Sequence, residues 1–160
     1  MEKSIFELSA LDNHNSLWHQ KKTVLVGGCF DLLHYGHLAF LKNAQKKGEI
    51  LIVALESDEF ISTYKKRKPV HNQQQRAEIL ASLRFVDFVI KLPLMNGNDS
   101  YFSLVKTISP AIIAVTEGDP IITIKQKQAD SVGGQLIIAS PSLSTFSTSS
   151  ILSYEALFSD

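Results

Sequence analysis

His34 and His37 are the residues of this chain whose type and spacing point most directly to chemistry. Three positions apart, they share one face of a first helical turn, and Gly36 between them leaves the backbone open to a phosphate group. Ahead of them Thr23 to Val26 are β-branched or apolar, and Gly27-Gly28 follow at once. That pattern predicts a buried strand ending where the chain must bend or approach a ligand. A helix opening between Leu33 and His37 would aim free N–H groups and the positive end of its dipole into the same space. Two imidazoles beside such amides suit phosphoryl or nucleotidyl transfer, in which positioning and charge neutralisation do most of the work. Zinc held by Cys29, His34 and His37 is the alternative. It lacks a fourth ligand, because the chain has one Cys and because His14, His19 and His71 stand at no ligand-like spacing. Cys29 otherwise suits a small buried side chain, Tyr35 packing or pocket wall, and Phe30 the core.

The elements that position these residues follow from the rest of the chain. With 160 residues, 44% hydrophobic and 20% charged, it fits one globular domain. Sixteen basic and sixteen acidic residues cancel, so no global charge draws nucleic acid or an acidic membrane surface, and phosphate affinity must be local. A single Cys excludes an internal disulfide. With no signal segment and no 18-residue apolar run, the expected setting is cytoplasmic. Residues 1–22 read as a helical arm anchored by Trp18, and 23–160 as the domain proper. A helix over about 34–47 buries Leu38, Leu41 and Ala44. Ile50 to Leu55, six apolar residues in a row, is a strand covered on both faces. Lys65-Lys66-Arg67-Lys68-Pro69 is an exposed loop, either simply solvated or a lid over an acceptor phosphate. A helix over 72–83 carries Arg76 in its first turn. Further strands are expected at Phe88-Val89-Ile90, Ala111 to Val115 and Leu136-Ile137-Ile138, with Gly118-Asp119 after the fourth and a Ser/Thr-rich stretch before a last helix. Strands alternating with helices predict a Rossmann-like, doubly wound, five-stranded parallel sheet of order 3-2-1-4-5. Its ligand crevice then opens between the first and fourth strands, where Gly27-Gly28 and Gly118-Asp119 face each other.

Gly28-Cys29-Phe30-Asp31-Leu32-Leu33-His34-Tyr35-Gly36-His37 resembles the G-x-F-D-x-x-H-x-G-H signature of the cytidylyltransferase-like nucleotidyltransferases, six fixed residue types within ten positions. The resemblance extends over roughly 23–152. Arg76 with Leu80, and then Val86-Asp87, are similar to the family's R-x-x-x-L helix and V-D pair. Thr116-Glu117-Gly118-Asp119 resembles its G-D element, and Phe146 to Ile151 its closing I-S-[ST]-T-x-[IL] motif. The resemblance implies direct attack of an acceptor phosphate on the α-phosphorus of an NTP, with His34 and His37 catalytic. It implies a nucleotide site of Gly28, Cys29, Phe30, Gly36, Gly118, Asp119, Ser147, Thr148 and Ser149. Asp31, Lys66, Lys68 and Arg76 are then expected at the acceptor or a phosphate. Asp119 could equally form the turn before Pro120, Arg76 could lie at the surface, and Ser147 to Ser149 would cap a helix in any case. Mg²⁺ is expected to arrive with the NTP rather than in a protein cage. Cys29 and Lys68-Pro69-Val70 are similar to the adenylyltransferase domain of the ADP-heptose synthases, which implies ATP and heptose 1-phosphate. The alternatives are a CTP-dependent glycerol-3-phosphate cytidylyltransferase, against which Ser142 stands where that group has Arg, and a degenerate nucleotide-binding domain, suggested by Leu152-Ser153 where relatives carry Arg or Lys. Families it resembles usually form dimers, so a homodimer is expected, with neither a nucleic-acid nor a membrane partner.

Overall fold

Short apolar runs alternate with helical stretches along the chain; the runs form one central sheet and the helices cover its two faces, a three-layer α/β fold. The computed structural model describes residues 4–142 and 148–156, the side chains as far as 153. In chain order the elements are β1 (Ser4–Glu7), β2 (Thr23–Gly28), α1 (Tyr35–Gln45), β3 (Ile50–Leu55), α2 (Asp58–Tyr64), α3 (Gln73–Ala81), β4 (Phe88–Lys91), α4 (Gly97–Ile108), β5 (Ile112–Thr116), α5 (Ile122–Asp130), β6 (Gln135–Ser140) and α6 (Thr148–Ala156). The strands form one sheet of order β1-β4-β3-β2-β5-β6, and every pairing is parallel. The five expected strands stand in the expected order, with β1 added at one edge.

That sixth strand corrects the reading of residues 1–22 as a helical arm. Ser4 to Glu7 pair in register with Phe88 to Lys91, and 3₁₀ turns follow at Leu8–Asn13 and Asn15–Leu17. The reason is side-chain alternation: Ile5 packs into the apolar cluster on one face of the sheet and Phe6 into the cluster on the other, which a helix could not do. Phe6 stacks on Phe88 at 5.9 Å between ring centroids, and Trp18 lies 5.2 Å from the same ring. Leu11 and Trp18 are buried together with Leu25, Ile52 and Ile90, so this segment is part of the domain's own core.

The central strands are buried on both faces, as parallel strands under crossover helices must be. Val24 and Val26 pack with α1 and α3, while Leu25 packs with α4 and α5. Gly48, ahead of β3, is required by space: a Cβ there would come within 2.4 Å of the Lys22 carbonyl oxygen. Because all strands run the same way, their carboxyl ends share one edge, and the order reverses between β2 and β5. Among the described residues no helix is long and apolar enough to cross a membrane.

Candidate active site

A cleft of about 950 Å³ opens at that edge, with Gly27, Gly28, His34 and His37 among the residues that line it. The turn out of β2 is tight. Phe30 takes a left-handed φ of 44°, which is costly for a residue with a Cβ, and its ring folds back so that a Cβ on Gly28 would lie 3.0 Å from Cε2. His34 is the N-cap of α1, its Nδ1 accepting from the His37 backbone N–H at a long 3.4 Å. That acceptor role places the imidazole proton on Nε2 and leaves it free to donate. The two rings stack with centroids 3.7 Å apart and 23° between planes, and Phe30 covers His37 from 5.1 Å. Burial, with His34 adding to it, holds His37 down at about 4, against the pull of the Leu32 backbone; burial also lowers His34. His37 Nδ1 is buried and has no hydrogen-bond partner among the described residues. Both shifts favour the neutral imidazoles, which lie beside the N–H groups of a helix start.

Around this centre the residues expected at the acceptor or a phosphate take different places. Asp31, expected at substrate, lines the cleft and is nearly fully buried: its carboxylate accepts from the backbone N–H of Val70 (2.9 Å) and His71 (3.1 Å) and pairs with Arg67. Burial alone would raise this carboxyl, but the Arg67 side chain and those two N–H groups outweigh it and hold it below the ordinary aspartate value. Arg76 is fully buried and does not line the cleft. Its Nε donates to the His71 carbonyl (3.0 Å), Nη1 to the Cys29 carbonyl (2.5 Å) and Nη2 to Asp58 (2.7 Å). The guanidinium thus ties the β2 turn, the basic loop and α2 together, a positioning task in place of the expected phosphate contact. In the basic loop Lys65 and Arg67 line the cleft, whereas Lys66 and Lys68 are exposed and do not.

On the β5 and β6 side, Asp119 lines the cleft and also forms the turn: it accepts from the Ile121 N–H at 2.9 Å and pairs with Lys125 at 2.7 Å. Gly118 supplies the positive φ of 77° that this turn requires and does not itself line the cleft. Thr148 and Ser149, at the start of α6, reach the cleft; Ser147 and Phe146 lie outside the described residues. Cys29, Phe30 and Gly36 line it as well, the Cys29 thiol raised by burial. Among the described residues no three His, Cys, Asp or Glu side chains gather into a group that could hold a cation. Among the lining residues that the sequence reading did not single out are Glu56 and Tyr101, which are hydrogen-bonded at 2.8 Å. The signal for Glu56 was its place, a charged residue directly after six apolar ones at the carboxyl end of a parallel strand.

A doubly wound sheet with paired imidazoles and a helix N-terminus at its switch point defines a nucleotide-handling α/β protein. The chain belongs to the cytidylyltransferase-like family, whose model matches residues 25–150. It is 42% identical over 94 residues to the bifunctional protein HldE of Campylobacter fetus, covering 58% of this chain and 20% of that protein. It is 41% identical over 96 residues to the FAD synthase of Thermococcus kodakarensis, covering 60% of this chain and 62% of that one. The match thus spans a fifth of the first relative and under two thirds of the second. Among solved structures, a lipopolysaccharide core biosynthesis protein from Thermoplasma volcanium superposes with a TM-score of 0.61 at 23% identity, over 76% of this chain and 95% of that one. The pantoate-beta-alanine ligase of Francisella tularensis gives 0.65 at 16% identity, over 98% and 80%. At these identities the fold is what is shared.

Proposed function

We propose that this protein transfers an adenylyl group from ATP to the phosphate of a small polyhydroxylated acceptor, heptose 1-phosphate first among them, and releases pyrophosphate. The observation that carries this reading is the stacked His34–His37 pair at the N-terminus of α1 in a cleft large enough for two substrates. An acceptor phosphate oxygen attacks the α-phosphorus; the new P–O bond forms as the bond to the bridging oxygen breaks, and the electron pair leaves with pyrophosphate. The imidazoles and α1 amides stabilise charge on the α-phosphate oxygens, Thr148 and Ser149 meet the outer phosphates, and Lys65 with Arg67 draws the acceptor phosphate in. A divalent cation, expected to be Mg²⁺, would ride on the triphosphate oxygens and neutralise part of their charge. The likeness to HldE supports a heptose-related adenylyl transfer, in a cytoplasmic setting. The likeness to an FAD synthase favours a second reading, in which the acceptor is the phosphate of flavin mononucleotide. Both readings take ATP. Crossing ATP and CTP with heptose 1-phosphate, flavin mononucleotide and glycerol 3-phosphate in a pyrophosphate-release assay decides among them. Fastest turnover is expected with ATP and heptose 1-phosphate; fastest turnover with CTP and glycerol 3-phosphate would overturn the choice of both substrates.

A further inference from the structure

Glu56 occupies a position with no slack. Its backbone N–H donates to the Gly28 carbonyl at 3.0 Å, which extends the pairing of β3 with β2 by one residue, and the next residue, Ser57, caps α2 through its hydroxyl. The residue is 8% exposed and lines the cleft. Tyr101, from the first turns of α4, donates its hydroxyl to Oε1 at 2.8 Å. Oε2 is buried with no hydrogen-bond partner among the described residues. A buried carboxylate oxygen left unpaired is unusual and calls for an explanation. Protein cations do not supply one: Lys125 and Arg76 lie close enough to act on Glu56, yet Lys125 is paired with Asp119 and Arg76 is spent on Asp58, Cys29 and His71. The missing donor is therefore expected from the ligand.

We propose that Glu56, held in place by Tyr101, is a specificity-determining residue whose Oε2 binds a hydroxyl on the carbon chain of the acceptor. This inference rests on the transfer reading above, and it orients the acceptor within the cleft. A phosphate set against Oε2 would bring two anions together, so the phosphate end must face Lys65, Arg67 and the histidines while the hydroxylated end faces Glu56. An ammonium would meet the field of Lys125 and Arg76; a neutral hydroxyl does not. Burial raises the Glu56 carboxyl, and a hydroxyl suits either form, donating to the carboxylate or accepting from the acid. A site built to bond a hydroxyl rejects analogues that lack it.

The test is titration calorimetry of heptose 1-phosphate, flavin mononucleotide and glycerol 3-phosphate into protein saturated with a non-transferable ATP analogue, with monodeoxy forms of whichever acceptor binds. Glu56→Met removes the acceptor atom at nearly constant volume, and Glu56→Gln keeps both the bond to Tyr101 and a polar atom in the place of Oε2. Acceptor affinity should fall at least about tenfold in the first and only a few-fold in the second, with ATP-analogue affinity unchanged. In the wild type one monodeoxy acceptor should lose about the factor that Glu56→Met loses, and that variant should not distinguish it from the parent. Tyr101→Phe should raise the acceptor KM and leave kcat near wild type, since it only positions Glu56. Wild-type acceptor affinity in folded Glu56→Met, or in Glu56→Gln together with monodeoxy acceptors that all bind like the parent, overturns the proposal. Acceptor binding that depends on Glu56 without any pyrophosphate release rejects the transfer reading and leaves the contact standing. Turnover indifferent to Glu56 does the reverse, and failure of the wild type to bind any of the three acceptors contradicts both.

Discussion

His37 shows at the level of one residue what the cleft is built to do. Its imidazole is held near 4 by burial and by His34, so it is neutral when the cleft is empty, whereas an α-phosphate placed against it would favour its charged form. Nucleotide binding below about pH 6.5 should therefore take up a proton, seen as a dependence of the calorimetric enthalpy on the ionisation enthalpy of the buffer. Stability carries the same signature. Because the folded value lies below the ordinary 6.5, the unfolded chain holds more protons between those limits, and stability falls as pH is lowered from about 6.5 to 4. The loss is expected to reach roughly 3 kcal/mol. Denaturant unfolding at several pH values measures it, and His37→Gln should flatten the slope; an equal slope in both proteins would reject this assignment. Asp31 works in a different window, its contribution vanishing only as pH falls through a value below 3.8. His34→Ala and His37→Ala should each fold and lower kcat by about two to three orders of magnitude, with smaller changes in nucleotide affinity.

Among the elements, the loop from α2 to α3 shows most clearly what composition hides. Four consecutive basic residues announce a phosphate-facing or solvated loop, but composition does not say which of them turn inward. The answer depends on Asp31 and Arg76, which anchor the loop by its Arg67 side chain and by the backbone at Val70 and His71, so that Lys65 and Arg67 face the cleft. Lys65→Ala should raise the acceptor KM roughly tenfold, the loss of one charge-assisted hydrogen bond, while Lys66→Ala with Lys68→Ala changes it little. Steady-state kinetics with each substrate varied in turn separates these outcomes, and the opposite ranking would refute the placement. Asp31 and Arg76 were legible as important residues in the G-x-F-D and R-x-x-x-L patterns. Their partners were not, since hydrogen bonds across 36 to 47 positions leave no local trace.

For the whole molecule, the central five strands were legible because each is a short apolar run between helix signals, and right-handed crossovers leave few orders open. β1 was not, because four residues bearing only Ile5 and Phe6 as apolar positions show no period; its strand character comes from pairing with β4. The histidine turn was legible in residue types alone, while Glu56 needed the packing of α4 to acquire meaning. The N-terminal segment should behave as core: Trp18→Ala is expected to cost about 3 kcal/mol in denaturant unfolding, the low end for a buried Trp because its Nε1 is buried without a partner among the described residues. An independent arm would lose almost nothing. The central claim is direct transfer between two substrates in one cleft, and the most direct measurement of it follows ATP labelled at the α-phosphate through a single turnover with heptose 1-phosphate. The label should appear in the acceptor, joined through its phosphate, with pyrophosphate released in equal amount and both slowed together in His34→Ala and His37→Ala. Label recovered as free AMP or attached to the protein, or transfer at the wild-type rate in either variant, would contradict the account.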